Sequence, residues 1–231
     1  MCSSCTTESG TTIPVEYAGA LNNMMQNGDI SAKISLDTLS DKDHIYALGA
    51  ISELKGEIQV FDGQPIISYA QEGSVALNST FQVDATLLVY SRIDQWIKIP
   101  VGGNIKSMAQ LENYVRDEAK KNGINVEQPF PFKIEGNMES VQWHVIDWPE
   151  GDTEHTHEKH IASGPQGEST YVKASILGFY SNHHKGIFTH HTSNMHLHAN
   201  IPLHKVAGHV DDVTLGNGCI LSLPLITSTN D

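Results

Sequence analysis

Met195-His196-Leu197-His198-Ala199, followed at short range by Val206-Ala207-Gly208-His209-Val210-Asp211, is the stretch on which the reading of this chain turns. Side chains at i and i+2 of a strand share a face, so His196 and His198 present two imidazoles side by side. Ten residues then separate His198 from His209, enough for a turn that brings a third imidazole back beside them. Three histidines on one strand face are the usual way to hold a catalytic transition metal while leaving coordination positions open. With 13 histidines in 231 residues, such a spacing also arises by chance.

The other histidines are weaker candidates for a ligand set. His155, His157 and His160 form HxHxxH inside residues 147–170, a Gly/Pro/charge-rich stretch that reads as a long loop with no regular scaffold, so adventitious binding is all that is expected of them. His183-His184 and His190-His191 are adjacent pairs, and neighbours on a strand point to opposite faces. His204 falls in the turn between the two strands. A cupin would carry a glutamate about four residues after HxH; Pro202 stands there, so that grammar fails.

Working outward, the second half of the chain is β-rich, with strands expected over Phe132–Glu135, Ser140–Ile146, Tyr171–Tyr180, Met195–Ala199, Val206–Asp211 and Cys219–Leu223. In the first half, residues 15–27 place Tyr17, Leu21, Met24 and Met25 at helical spacing, with Gly28 as the stop. Glu57–Phe61 and Pro65–Tyr69 read as a hairpin around Asp62-Gly63, and Ala85–Tyr90 as a further strand. Met108–Lys121 is the clearest helix: Ser107 with Gln110 forms a capping box, Leu111, Tyr114, Val115 and Ala119 make the apolar stripe, and Asn122-Gly123 closes it. The expected fold is α/β of the α+β type. A mixed N-terminal sheet with helices packs on a β-rich, mostly antiparallel C-terminal half that carries the metal site. The divisions are a tail over 1–12, an α/β half over 13–124 and the β-rich half over 125–231, forming one unit overall.

Composition narrows the function. There are 27 acidic against 14 basic residues, a net charge of −13, and arginine occurs only at Arg92 and Arg116. Phosphate-tracking surfaces need clustered Lys and Arg, so nucleic acid is excluded as a partner, and the acidity disfavours anionic membranes. No apolar run approaches the ~20 residues of a membrane-spanning helix. The three cysteines, Cys2, Cys5 and Cys219, are too few for a disulfide framework. The Cys2/Cys5 CxxC lies in a polar terminal run, without a folded support for zinc or redox chemistry. As written the chain reads as cytoplasmic; Cys-Ser-Ser behind Met1 is also the form left when a lipoprotein loses its signal peptide.

At these residues a resemblance becomes specific. His196-Leu-His198 followed by Gly208-His209-Val210-Asp211 resembles the α-acetolactate decarboxylase family, which carries HLHF, a turn, then GGHV and an aspartate. Upstream, Leu54-Lys55-Gly56-Glu57 and Phe61-Asp62-Gly63 look like the family's LDGE and DG turn, and Leu21–Asp29 is similar to its early amphipathic helix. The resemblance implies Zn2+ on His196, His198 and His209, an active-site role for Glu57, a small-molecule substrate and a homodimer. It also implies the reaction: decarboxylation of 2-acetolactate, or a related 2-hydroxy-3-keto acid, to acetoin through a metal-stabilised enediolate.

Three departures fall near that chemistry. His144, in Val141-Gln-Trp-His-Val145, stands where the family has an arginine, and it is the residue expected to take over a catalytic part. Ala50 replaces a threonine seven residues before Glu57, and Thr227–Asp231 lacks the second glutamate of the family's C-terminal extension. Residues 183–194 are longer than their counterpart and add histidines. The alternative function is therefore a homologue that keeps metal or ligand binding without this catalysis.

Overall fold

The computed structural model describes residues 13–102 and 105–226. The N-terminal CxxC and the tail after residue 226 lie outside the described residues.

The chain first lays down β1 (Glu16–Ala18), α1 (Leu21–Asn27), β2 (Ile34–Ser35), β3 (Ile45–Ile51), β4 (Glu57–Phe61), β5 (Gln64–Gln71), β6 (Ser74–Asn78) and β7 (Asp84–Arg92). These strands make a seven-stranded sheet in the order β1-β7-β3-β4-β5-β6, with β2 also on β7. The second group is β8 (Trp96–Pro100), α2 (Met108–Lys121), β9 (Phe130–His144), α3 (His157–Ala162), β10 (Gln166–Tyr180), β11 (Met195–Ile201), β12 (Val206–Leu215) and β13 (Ile220–Pro224). Its sheet runs β10-β11-β12-β9-β13-β8, and β9 also pairs with β10, so β9, β10, β11 and β12 form a closed circuit of ladders.

The α+β class is the one expected, with one adjustment: each described ladder of the first sheet is antiparallel, so that sheet is not mixed. Consecutive strands here are joined by short turns, and a parallel pairing would need a longer crossover. The passage from one sheet to the other falls between Arg92 and Trp96, ahead of residue 124, because β8 pairs with β13. A single apolar core joins the two halves, with Leu48, Leu87 and Val89 of the first sheet among Phe132, Ile176 and Leu221 of the second. A second cluster, including Leu36, Ile45, Ile58, Ile67 and Leu88, covers the far side of the first sheet. Alternation along β3 sends Tyr46 and Leu48 to one cluster and Ile45 and Ala47 to the other, which is why every residue of that strand is buried.

Local signals explain the elements that match expectation. Asp62 and Gly63 both have positive φ, as the two-residue hairpin turn requires. At α2 the Ser107 hydroxyl accepts from the Gln110 N–H at 3.3 Å, while Gln110 Oε1 accepts from the Lys106 N–H at 2.8 Å.

Elsewhere the structure corrects the reading. The helical spacing over 15–27 is interrupted: Glu16–Ala18 is a strand on β7, and the helix begins only at Leu21. Gly19, at φ +80° and where a β-carbon would stand 2.0 Å from the Thr86 carbonyl oxygen, separates them. The two strands expected over 132–146 are one continuous β9. Gly136 lies within it because a β-carbon there would come within 2.7 Å of Cys219. The loop over 147–170 contains α3, capped by Thr156 accepting from the Lys159 N–H at 3.2 Å, and β10 starts before it ends. None of the described helices is long and apolar enough to cross a membrane.

Candidate active site

The β11–β12–β9 ladder builds the site. His198 on β11 lies directly opposite His209 on β12, and His209 lies opposite His144 on β9. His196, two residues before His198, shares its face. The ring centroids are 5.0 Å apart for His196–His198 and for His196–His209, and 5.4 Å for His198–His209. One nitrogen from each of these three histidines lies within 4.8 Å of the others, and no other such group of three occurs among the described residues. Gly208 brings β12 close to β9: a β-carbon there would stand 2.5 Å from the His144 carbonyl oxygen.

Burial sets the charge state. His196 and His198 are buried. Loss of solvent, helped by the neighbouring His144 and His190, pulls His196 down to about 3. His198 and His209 are held well below the usual imidazole range for the same first reason, with His196 and His144 adding to it in both and His198 adding to it in His209. All three therefore carry free lone pairs at neutral pH. His196 Nε2 and His198 Nε2 face each other at 3.2 Å, with Glu57 Oε2 3.7 Å from His198 Nε2. Converging neutral nitrogens beside a carboxyl group fit a divalent transition ion.

Glu57 reaches this face from the other sheet. The turn before β4 carries Glu53 and Leu54 at positive φ, an uncommon conformation for such residues. Cross-links from the segment after β9 hold it: the Trp148 N–H donates to the Leu54 carbonyl at 3.0 Å, and Lys55 Nζ donates to the Trp148 carbonyl at 2.6 Å. The Ile146 N–H donates to Glu57 Oε1 at 3.2 Å, so Oε2 is the oxygen turned toward the histidines. Burial pushes the Glu57 carboxyl up to about 7; His144 and the Ile146 N–H pull against this, and Asp211 adds to it. Ala50 is the residue directly opposite Glu57 on β3.

His144 is buried and its Nδ1 lies 2.9 Å from Asp211 Oδ2 and 3.0 Å from Oδ1. Burial works against a charge there, but the Asp211 hydrogen bond and the charges of Asp211 and Glu57 outweigh it and raise the imidazole. A register shift between Val210 and Asp212 on β12 accompanies this placement of Asp211.

Glu57, His144, His196, His209 and Asp211 line a cavity of about 730 Å³, whose walls also include Leu21, Met24, Leu54, Leu87 and Phe188. No Lys or Arg is among its described lining residues. Four histidines that sequence reasoning set aside line it too: His157, His160, His190 and His191. Residues 157–162 are helical and not loop, with His160 at hydrogen-bond distance (3.0 Å) from His155, whose ring stacks on Trp148, but His155, His157 and His160 do not converge as a metal-holding group of three. His190 and His191 are not on a strand, so alternation does not separate them; their centroids are 3.9 Å apart. The signal available was Thr156 as an N-cap ahead of His157 and His160, which are one helical turn apart.

Against known proteins, the model of the alpha-acetolactate decarboxylase family matches residues 17–227. Acetolactate decarboxylase from Bacillus subtilis strain 168 superposes with a TM-score of 0.72 at 17% identity, covering 92% of this chain and 86% of that one. The enzyme from Bacillus subtilis subspecies spizizenii gives 0.71 at 17% identity over the same shares. A Staphylococcus aureus protein of unknown function, similar to alpha-acetolactate decarboxylase, gives 0.67 at 13%, covering 92% and 85%. These likenesses show a shared fold. No curated protein matches the sequence.

Proposed function

The chain belongs to the alpha-acetolactate decarboxylase family, and from that premise we propose that it decarboxylates 2-acetolactate, or a related 2-hydroxy-3-keto acid, to acetoin, with zinc on His196, His198 and His209. The observation that carries this reading is the convergence of three neutral imidazole nitrogens beside Glu57, with His196, His209 and Glu57 lining one cavity. A divalent ion bound there would supply Lewis acidity toward the negative charge left on the substrate oxygens as carbon dioxide departs.

The chain's own groups do the rest. The electron pair of the broken carbon–carbon bond must return to carbon with a proton. Glu57, fixed at Oε1 by the Ile146 N–H and raised to about 7 by burial, holds that proton at Oε2 at neutral pH. His144, raised by its hydrogen bond to Asp211 against its burial, is the basic group on a wall with no Lys or Arg among its described residues, and when protonated it offers the substrate carboxylate a counter-charge. It lacks the bidentate fork of a guanidinium, so it attracts the carboxylate without fixing its orientation as firmly. A homodimer belongs to the same reading and is checked by light scattering of the full-length protein.

The test is metal analysis coupled to an acetoin assay on one sample. One zinc per chain with acetoin formed from racemic acetolactate supports the proposal. Full zinc occupancy with no acetoin at any pH would sink the decarboxylase reading and leave a metal-binding homologue.

A further inference from the structure

Two of the three ligand histidines lie deep: His198 is fully buried and His196 only 7% exposed, while His209 is part-buried on the cavity wall. A hydrated ion must shed its water to reach all three. The wall of the same cavity carries a second row of imidazoles. His157, at the start of α3, and His191 are exposed, and His190 is half-buried. The His157 and His190 rings are 4.6 Å apart and those of His190 and His191 3.9 Å. From His191 and His157 through His190 to His196, accessibility falls steadily along one cavity. Glu112 and Glu158 line it as well, and in the absence of lining Lys or Arg that charge attracts cations.

We propose that His157, His190 and His191 form a capture site at the cavity mouth, which takes up the divalent ion and passes it inward to His196, His198 and His209. The inference rests on the metal reading of that triad. Two features suit the mouth residues to transfer and not to storage. Their nitrogens do not converge within 4.8 Å as the triad's do, so they hold an ion loosely, and an ion held tightly at the mouth would stop there. His190 Nδ1 lies 2.7 Å from Thr192 Oγ1 and accepts from the Thr192 N–H at 3.3 Å, outer partners that orient the ring toward the cavity wall. Burial and the adjacent His157 and His191 hold His190 down to about 4, which keeps its lone pair available at neutral pH.

The experiment follows Co2+ in full-length protein by its visible absorption, both entering chelator-stripped protein and leaving loaded protein into excess chelator. The variant combining His157→Asn, His190→Asn and His191→Asn is expected to reach the same stoichiometry and spectrum as the parent. Entry should be roughly tenfold slower or more, the low end of what a local attractive site contributes to an association rate. Because the mouth is empty in both end states, release should slow by the same factor and equilibrium affinity should not change. His191→Asn alone, at an exposed position, should show part of the effect even if the triple variant folds poorly. His183→Asn, whose exposed side chain meets Glu127 away from the cavity, should have none.

Unchanged entry rates in both the triple and the His191→Asn variants overturn the proposal, as does equal slowing by His183→Asn. A parent protein that takes up no Co2+ fails at the earlier step and removes the metal reading itself.

Discussion

Glu57 and His144 illustrate how far one residue's chemistry depends on where its neighbours place it. Glu57 follows a turn of uncommon backbone geometry, is anchored through one oxygen by the Ile146 N–H, and is raised to about 7 by burial. Under the proposed mechanism, Glu57→Gln keeps the side chain's size and its hydrogen bond to Ile146 but removes the transferable proton. Zinc stoichiometry is expected to stay at the parent level while kcat falls by roughly 10²–10⁴, the usual contribution of a general acid; an active Glu57→Gln enzyme would remove Glu57 from that role. His144 depends on Asp211 in the same way. Asp211→Asn leaves a hydrogen-bonding partner but takes away the charge that raises the His144 imidazole against its burial. The expected result is a KM for acetolactate raised roughly tenfold to a hundredfold, equivalent to the about 1.5–3 kcal/mol of a hydrogen bond to a charged group. Steady-state kinetics on metal-saturated protein checks it, and an unchanged KM would show that His144 does not bind the carboxylate.

Among the elements, the connection from Ser181 to Asn194 contributes most to the site beyond the strands themselves. It caps α1 from outside, since the Leu21 and Asn22 N–H groups donate to the Ile187 and Gly186 carbonyls at 2.8 and 2.7 Å, supplying partners that a helix's first turn lacks. Its other end is held on α2 by Glu112, which accepts from the Asn194 N–H at 2.9 Å, the Asn194 side chain at 2.6 Å and the Ser193 hydroxyl at 3.2 Å. Glu112→Ala removes all three and is expected to cost about 1–3 kcal/mol and to speed amide exchange across residues 183–194; exchange identical to the parent would mean the segment is held by its other contacts. The same element marks the limit of what the sequence discloses. The extent of α2 was readable because its cap, stripe and stop are local, and the triad because HxH and a short turn fix a strand face. Glu57 needed a family motif, since its approach to His198 depends on packing between two sheets. The start of α1 has no capping side chain, because its partners lie some 160 residues away in the chain. His157 and His160 were set aside as loop residues and His190 and His191 by strand alternation, whereas the first two lie on a short helix and the second two off any strand. The Thr156 cap was a local signal for that helix; the placement of residues 183–194 depends on long-range hydrogen bonds, which leave no periodic trace.

At the scale of the whole molecule, most histidines gathered around the cavity are folded in the uncharged state, which ties stability to pH. Burial, with His155, His144 and His157 close by, pulls His160 down to about 4, and burial with His157 and His191 does the same for His190; His155 and His184 are lowered too, again chiefly by burial. An unfolded chain takes up these protons near the ordinary histidine value of about 6.5, whereas the folded chain takes them up at lower pH, near 4 for His160 and His190. Between those values the unfolded state binds more protons, so folding stability falls as pH drops through that window. Glu57, raised to about 7, and His144, also raised, act in the opposite sense, but they are outnumbered. Each fully coupled group would contribute up to about 1.4 kcal/mol per pH unit. Solvent access to side chains such as His190 reduces this, leaving an expected loss on the order of 1–2 kcal/mol between pH 6.5 and 4.5 for the metal-free protein. Urea midpoints measured across that range test the sign directly. His160→Gln, which keeps a partner for His155 Nδ1 but cannot be protonated, should lose stability less steeply with acid than the parent, and an equal slope in the two proteins would show that the buried histidine cluster does not govern acid sensitivity.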